Sequence, residues 1–170
     1  MTAYVALLRA VNLFGRPLLM SDLKAIGEEL GLGSPRTYIA SGNLLFKSRK
    51  TERAVKALLE KRLETHMGKP VGVMIRTAAE LAQVVARNPF TKEPGNGVLA
   101  IFLDAAPTAD AIETAKKVTD EKIALGRREI YVHYPHGQGR SRLVIPAAAA
   151  GTGRNMNTVA KLADMAKELE

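Results

Sequence analysis

Arg36-Thr37-Tyr38-Ile39-Ala40-Ser41-Gly42-Asn43-Leu44-Leu45-Phe46 reads as two strands folded back at Ser41-Gly42-Asn43. Gly42 reaches positive φ at no steric cost and Asn43 tolerates it, so a tight reversal between two β-rich runs has a physical cause. Upstream, Tyr4-Val5-Ala6-Leu7-Leu8 is an apolar run of strand length. Ser21 is the expected N-cap of a helix carrying Leu23, Ile26 and Leu30 at helical spacing, stopped by Gly31 and Gly33. Downstream, Ala54, Val55, Leu58, Leu59 and Leu63 mark an amphipathic helix from Thr51 to near Gly68, and Val71–Ile75 is the next strand. The order strand, helix, strand, strand, helix, strand is the split βαβ arrangement of ferredoxin-like folds.

Thr77 and Glu80 have capping-box spacing, which predicts a helix through about Arg87 that Asn88-Pro89-Phe90 breaks. Thr91 to Gly97, with Pro94 and two glycines, is the expected linker. Beyond it the pattern predicts a strand at Val98–Leu103, a helix from Thr108 to about Val118, and a hairpin of Lys122–Leu125 with Glu129–Tyr134. A short Ala-rich helix around Leu143–Ala150 and a last helix from about Asn157 to Leu169 complete the chain. The expected class is α+β: a ferredoxin-like (βαββαβ) N-terminal half, a second, related α+β half and a C-terminal helix. The expected organisation is two subdomains, 1–90 and 91–170, or one compact domain. No residue-level repeat relates the halves, so their kinship rests on element order alone.

The 170 residues carry a formal charge of +8 and a pI near 9.9, with the basic excess spread along the chain. That balance suits acidic or phosphorylated partners, nucleic acid among them, although no Trp and only four Tyr and four Phe leave few stacking platforms. Cysteine is absent, which removes disulfide, zinc-thiolate and thiol-nucleophile chemistry. With no long apolar run and no signal-like N-terminus, the expectation is a soluble cytoplasmic protein without a membrane partner.

Two polar constellations stand apart from the core pattern. Arg9 and Asn12, at the end of the first strand, join Ser41, Gly42 and Asn43 if the first and third strands pair antiparallel. Arg9 follows an apolar run, and a buried or half-buried guanidinium needs hydroxyl, amide or anion partners. The second constellation is Gly151-Thr152-Gly153-Arg154-Asn155-Met156-Asn157-Thr158, read as the loop that opens the last helix. Backbone N–H groups at a helix start, close-approach glycines and an adjacent Arg are what an anion site requires. The expected ligand-binding set is therefore Arg9, Asn12, Ser41, Gly42, Asn43, Arg154, Asn155, Asn157 and Thr158. For each residue alone, capping or turn formation explains it as well. Tyr134-Pro135-His136-Gly137-Gln138-Gly139-Arg140-Ser141-Arg142 is a further glycine-containing loop able to face an anion. His133 and His136 have neither the spacing nor the carboxylate of a metal site, and no cofactor motif is present.

Leu8-Arg9-Ala10-Val11-Asn12, Arg36 to Asn43, Asn88-Pro89-Phe90, Tyr134-Pro135-His136-Gly137 and Thr152 to Leu162 resemble, in order, the successive blocks of the bacterial domain-of-unknown-function 1697 family. The chain departs from many members at Asn12-Leu13-Phe14-Gly15, where Asn-Val-Gly-Gly is frequent, and at Met156, where tryptophan is. The resemblance implies an α+β fold with a ferredoxin-like N-terminal half, and no settled activity comes with it.

Three functions are compatible with these residues. The leading one is binding of an anionic or phosphorylated small molecule. The second is nucleic-acid (RNA) binding through a basic face, which needs sheet aromatics such as Tyr38 and Phe46 to be exposed. The third is an enzyme using Arg9 or Arg154 to stabilise developing negative charge, for which no general base stands out.

Overall fold

Tyr4, Ala6 and Leu8 project from one face of β1 (Thr2–Leu8) into a core shared with two helices, while Ala3, Val5 and Leu7 on the other face are buried too. A strand buried on both faces shows no polar alternation, which is why it reads as a continuous apolar run. The structure is a computed structural model that describes residues 1–9 and 17–170.

Two compact units make up the chain: Met1–Leu81 together with Leu162–Glu170, and Ala82–Lys161. In the first, β1 is followed by α1 (Met20–Glu29), β2 (Gly33–Thr37), β3 (Asn43–Ser48), α2 (Glu52–Met67) and β4 (Val73–Thr77). The sheet order is β2-β3-β1-β4 with every neighbour antiparallel, so the N-terminal half is ferredoxin-like as its element order implies. Tyr4 pairs with Phe46 and Ala6 with Leu44, and this sheet face packs on Leu23 and Ile26 of α1 and Val55, Leu59 and Leu63 of α2. The ends of α2 follow from local chemistry. Thr51 caps its start by accepting from the Ala54 N–H at 3.2 Å, and Gly68 ends it at φ 74°.

Several local expectations give way in this unit. Ser21 is not the cap of α1; Leu19 holds that position without a side-chain bond. The reversal before β3 is longer than a Ser41-Gly42-Asn43 turn: β2 ends at Thr37, Ile39 and Gly42 take φ of 50° and 88°, and Asn43 already belongs to β3. Arg9 is exposed, because β1 ends at Leu8. Phe46 is fully buried with its ring 5.7 Å from that of Tyr4, so it offers no base-stacking surface.

Thr77 and Glu80 form the expected capping box, with the Thr77 N–H bonded to Glu80 Oε1 (2.9 Å) and the Glu80 N–H to Thr77 Oγ1 (3.1 Å), and α3 (Ala78–Ala86) follows. The second unit contains β5 (Val98–Phe102), β6 (Lys122–Leu125), β7 (Glu129–His133) and β8 (Thr152–Asn155) in the order β6-β7-β5-β8, all antiparallel. Position for position this repeats the order of the first sheet, so the halves are related in topology. From Met156 to Leu169 runs α4, which begins in the second unit and ends in the first.

The helix expected over Thr108–Val118 is absent. That segment forms turns, Lys117 sits at φ 58°, and Lys116 makes an isolated antiparallel bridge with Val144. The stripe available to anchor a helix there is alanine, Ala111 and Ala115, and so little apolar area does not outweigh the cost of helix nucleation. The same bridge draws Val144 out of the expected Leu143–Ala150 helix, of which only a 3-10 turn at Pro146–Ala148 forms. Leu103, Ile130, Val132, Tyr134 and Ile145 make the core on this side.

Candidate functional site

β1 and β3 bring part of the first constellation to one sheet end. Leu7 pairs with Asn43, the Leu8 N–H donates to the Gly42 carbonyl and the Arg9 N–H to the Gly72 carbonyl, both at 2.9 Å. The Arg9 stem lies along Gly72, where an added Cβ would be 3.7 Å from Arg9 Cβ and Cδ. Asn43 is turned inward: its Nδ2 donates to the Tyr38 carbonyl (2.8 Å) and to Ser41 Oγ (3.0 Å), closing the reversal on itself. Asn12 lies outside the described residues.

The second constellation differs from the loop expected of it, because Thr152–Asn155 is a strand that pairs with β5. Its alternation carries Thr152 and Arg154 to the buried side. Arg154 Nη1 donates to Thr152 Oγ1 (2.8 Å) and to the Gly153 carbonyl (2.9 Å), and burial lowers its pKa to about 10. Asn155 Oδ1 accepts from the Thr158 N–H at 3.0 Å, the cap of α4. Asn157 is exposed, with Oδ1 against Gly95.

An equivalent of Arg154 that sequence reasoning missed is Arg76, the penultimate residue of β4. It is almost wholly buried, donates Nη1 to the Ile75 carbonyl (2.9 Å), and precedes a capping residue, Thr77, that opens α3. Each sheet therefore ends in a buried Arg, a capping side chain and a helix. The shared signal is Arg-Thr-x-x-Glu at Arg76–Glu80 and Arg-Asn-x-x-Thr at Arg154–Thr158.

A polar cleft of about 280 Å³ opens in the second unit where the turn Thr119–Glu121 faces the loop Tyr134–Ser141. Glu121 is its anchor. Ser141 donates its hydroxyl hydrogen to Glu121 Oε2, and Oε1 accepts from the Thr119 N–H (2.8 Å) and Thr119 Oγ1 (3.2 Å). The Ser141 bond first, and the Thr119 N–H next, hold the Glu121 pKa down to about 2, so it is an anion at every physiological pH. Burial, and then the Glu121 charge, push the Tyr134 hydroxyl above its ordinary value, so it stays a protonated donor. At the mouth, His136 Nε2 and Asp120 Oδ2 are 2.9 Å apart and both side chains are exposed. Gly137 turns the loop at φ 83° with open space around it. Arg140 is exposed on the same loop; its N–H donates to the Gly137 carbonyl, and its guanidinium has no hydrogen-bond or ion-pair partner among the described residues.

Sequence reading noted this loop but missed the turn it closes on. The available signal was Thr119-Asp120-Glu121, a run of acceptors beside a hydroxyl. His133, adjacent in sequence, is buried in β7, with Nε2 3.5 Å from Glu93, its ring 5.9 Å from Phe90, and Nδ1 without a partner among the described residues. Among the described residues no three His, Asp or Glu side chains gather where they could share a metal ion, and no helix is long and apolar enough to cross a membrane.

The model of a family described as a protein of unknown function, DUF1697, matches residues 1–131. No curated protein compared with the chain matches it. Among solved structures, the conserved bacterial protein SP0830 from Streptococcus pneumoniae is similar over 98% of this chain and 99% of its own, at 21% identity and a TM-score of 0.82. That likeness supports the fold.

Proposed function

The chain belongs to the DUF1697 family of proteins of unknown function, and on the geometry of its cleft we propose that it binds a small anionic or phosphorylated molecule. The observation that carries this reading is Arg140, an exposed guanidinium at the wall of a polar cleft with no hydrogen-bond or ion-pair partner among the described residues. A guanidinium presents five donors in a planar fork suited to a carboxylate or phosphate. Tyr134 supplies a neutral donor beside it, and His136 adds positive charge when protonated. The net charge of +8 favours the approach of such a ligand.

The blocks chosen from the sequence support the reading less directly. Asn43 and Asn155 spend their side chains on backbone groups, and Arg154 donates within its own strand. Arg9, Ser41 and Asn157 are exposed and remain candidates for ligand contact.

Thermal unfolding in the presence of inorganic phosphate and of phosphorylated metabolites tests the proposal. A ligand at about 100 times its Kd adds about 2.7 kcal/mol to the folded state, which reads as a rise of several degrees in Tm. The expected result is such a rise for the wild type and its loss in Arg140→Ala. An equal rise in both proteins, or none in the wild type, rejects the cleft as the site.

A further inference from the structure

The cleft holds two kinds of hydrogen-bonding wall, and each asks something different of a ligand. On the loop Tyr134–Ser141 the groups are donors: the Arg140 guanidinium and the protonated Tyr134 hydroxyl. Across from them, the turn Thr119–Glu121 presents two carboxylates.

Of these carboxylates, Asp120 is the one with acceptor capacity to spare. Each has about four lone-pair sites. Glu121 accepts from the Ser141 hydroxyl, the Thr119 N–H and its own N–H, and the Thr119 hydroxyl, 3.2 Å from both Glu121 Oε1 and Asp120 Oδ1, has one hydrogen for the two of them. Asp120 pairs with His136 at 2.9 Å through Oδ2 and shares the Thr119 hydroxyl with Glu121 through Oδ1. Acceptor capacity is left on the side of the cleft that repels anions, and ligand hydroxyl groups match it. A second anionic group there would instead meet two negative charges.

Size narrows the ligand further. At about 280 Å³ the cleft lies just below the roughly 300–1,000 Å³ of pockets that hold drug-sized ligands. That volume suits a single small polyol.

We propose that the ligand of this cleft is a polyol bearing one terminal anionic group, with the anion on Arg140 and the hydroxyls on the Asp120–Glu121 turn. This rests on the anion-binding reading above and adds the hydroxyl-bearing body of the ligand. Phosphate and carboxylate share the chemistry that Arg140 recognises, so the anion's identity is decided by the choice of probe.

Calorimetric titration of the full chain with two matched pairs separates the two statements. The pairs are glucose phosphate against inorganic phosphate, and gluconate against acetate. A hydrogen bond to a charged group is strong enough to give about tenfold in affinity, so at least one polyol acid should bind about tenfold more tightly than its bare anion. In Asp120→Asn that advantage should fall to about threefold or less. In Arg140→Ala both members of the pair should weaken together. Fructose bisphosphate should bind no more tightly than glucose phosphate. If the bare anions bind and neither polyol acid gains over its partner, or if Asp120→Asn leaves the gain intact, the polyol assignment is overturned and anion binding stands. If none of the four compounds binds, both are overturned. Circular dichroism of each variant, with an unchanged unfolding midpoint, confirms that the fold is intact.

Discussion

Ser141 donates its hydroxyl hydrogen to the carboxylate of Glu121, twenty residues earlier in the chain, and this bond ties the loop Tyr134–Ser141 to the turn Thr119–Glu121. The side walls of the cleft are thus held by this hydroxyl–carboxylate contact, supported by Thr119, and by the His136–Asp120 pair. The same hydroxyl oxygen accepts from the Leu143 N–H at 3.1 Å, which fixes where the loop ends.

That contact makes stability depend on pH in a defined window. The folded Glu121 pKa of about 2 lies below its ordinary 4.5, so the folded state binds fewer protons between those values. The stabilisation is complete above about 4.5 and is lost as pH falls toward 2. Thermal unfolding across that range should show a falling midpoint in the wild type. Ser141→Ala should start lower by a few degrees at neutral pH and fall less on acidification; parallel curves for the two proteins would contradict the assignment.

Asn43 bridges the Tyr38 carbonyl and the Ser41 hydroxyl from a fully buried position. Removing its side chain in Asn43→Ala leaves buried polar groups without that partner, which costs about 1–3 kcal/mol. Urea denaturation should show a lower midpoint with an unchanged slope. A loss under about 0.5 kcal/mol, the range of ordinary surface substitutions, would mean the bridge is not structural.

Two glycines of the second unit should respond differently to alanine. A Cβ on Gly151 would sit 2.8 Å from the Phe102 carbonyl oxygen and equally close to Ile101 and Leu103, so backbone must move. Overpacking of this kind costs about 1–3 kcal/mol. On Gly95 the Cβ would overlap the Asn157 side chain at 2.1 Å, but Asn157 is exposed and can rotate away. Equilibrium unfolding should therefore rank Gly151→Ala well below Gly95→Ala in stability.

Arg154 is a buried cation bonded to Thr152 and to its own strand. Arg154→Ala should destabilise by about 2–4 kcal/mol, as truncation of a large buried side chain with satisfied polar contacts does. Phosphate affinity, measured by calorimetry on the folded fraction, should stay within twofold of the wild type. A tenfold loss of affinity in a protein of normal stability would return Arg154 to the binding site.

The N-terminal architecture was readable because its signals are short in range. Thr51 and Gly68 bound α2, Thr77 and Glu80 cap α3, and Leu23 with Ile26, or Val55 with Leu59 and Leu63, repeat at helical spacing. Each such signal depends on neighbours three or four residues away, so a linear reading captures it. The strand order β2-β3-β1-β4 then follows, since few arrangements connect βαββαβ without crossing.

Tertiary contacts overrode that local grammar wherever the local free energy was small. Thr108–Val118 has helical residues but little apolar surface, and the pairing of Lys116 with Val144 outweighs its propensity. Arg154 reads as part of an exposed loop until the pleat of β8 turns it inward, and Arg76 lies in β4, where four successive residues are buried. The cleft lies further still from what a linear reading can reach. Glu121, Ser141 and Arg140 share no periodicity or motif, and folding back a loop twenty residues downstream places them together. Local order is encoded in neighbours along the chain, whereas a site built by loop closure is encoded in a long-range contact whose enthalpy must first outweigh the entropy of closing that loop.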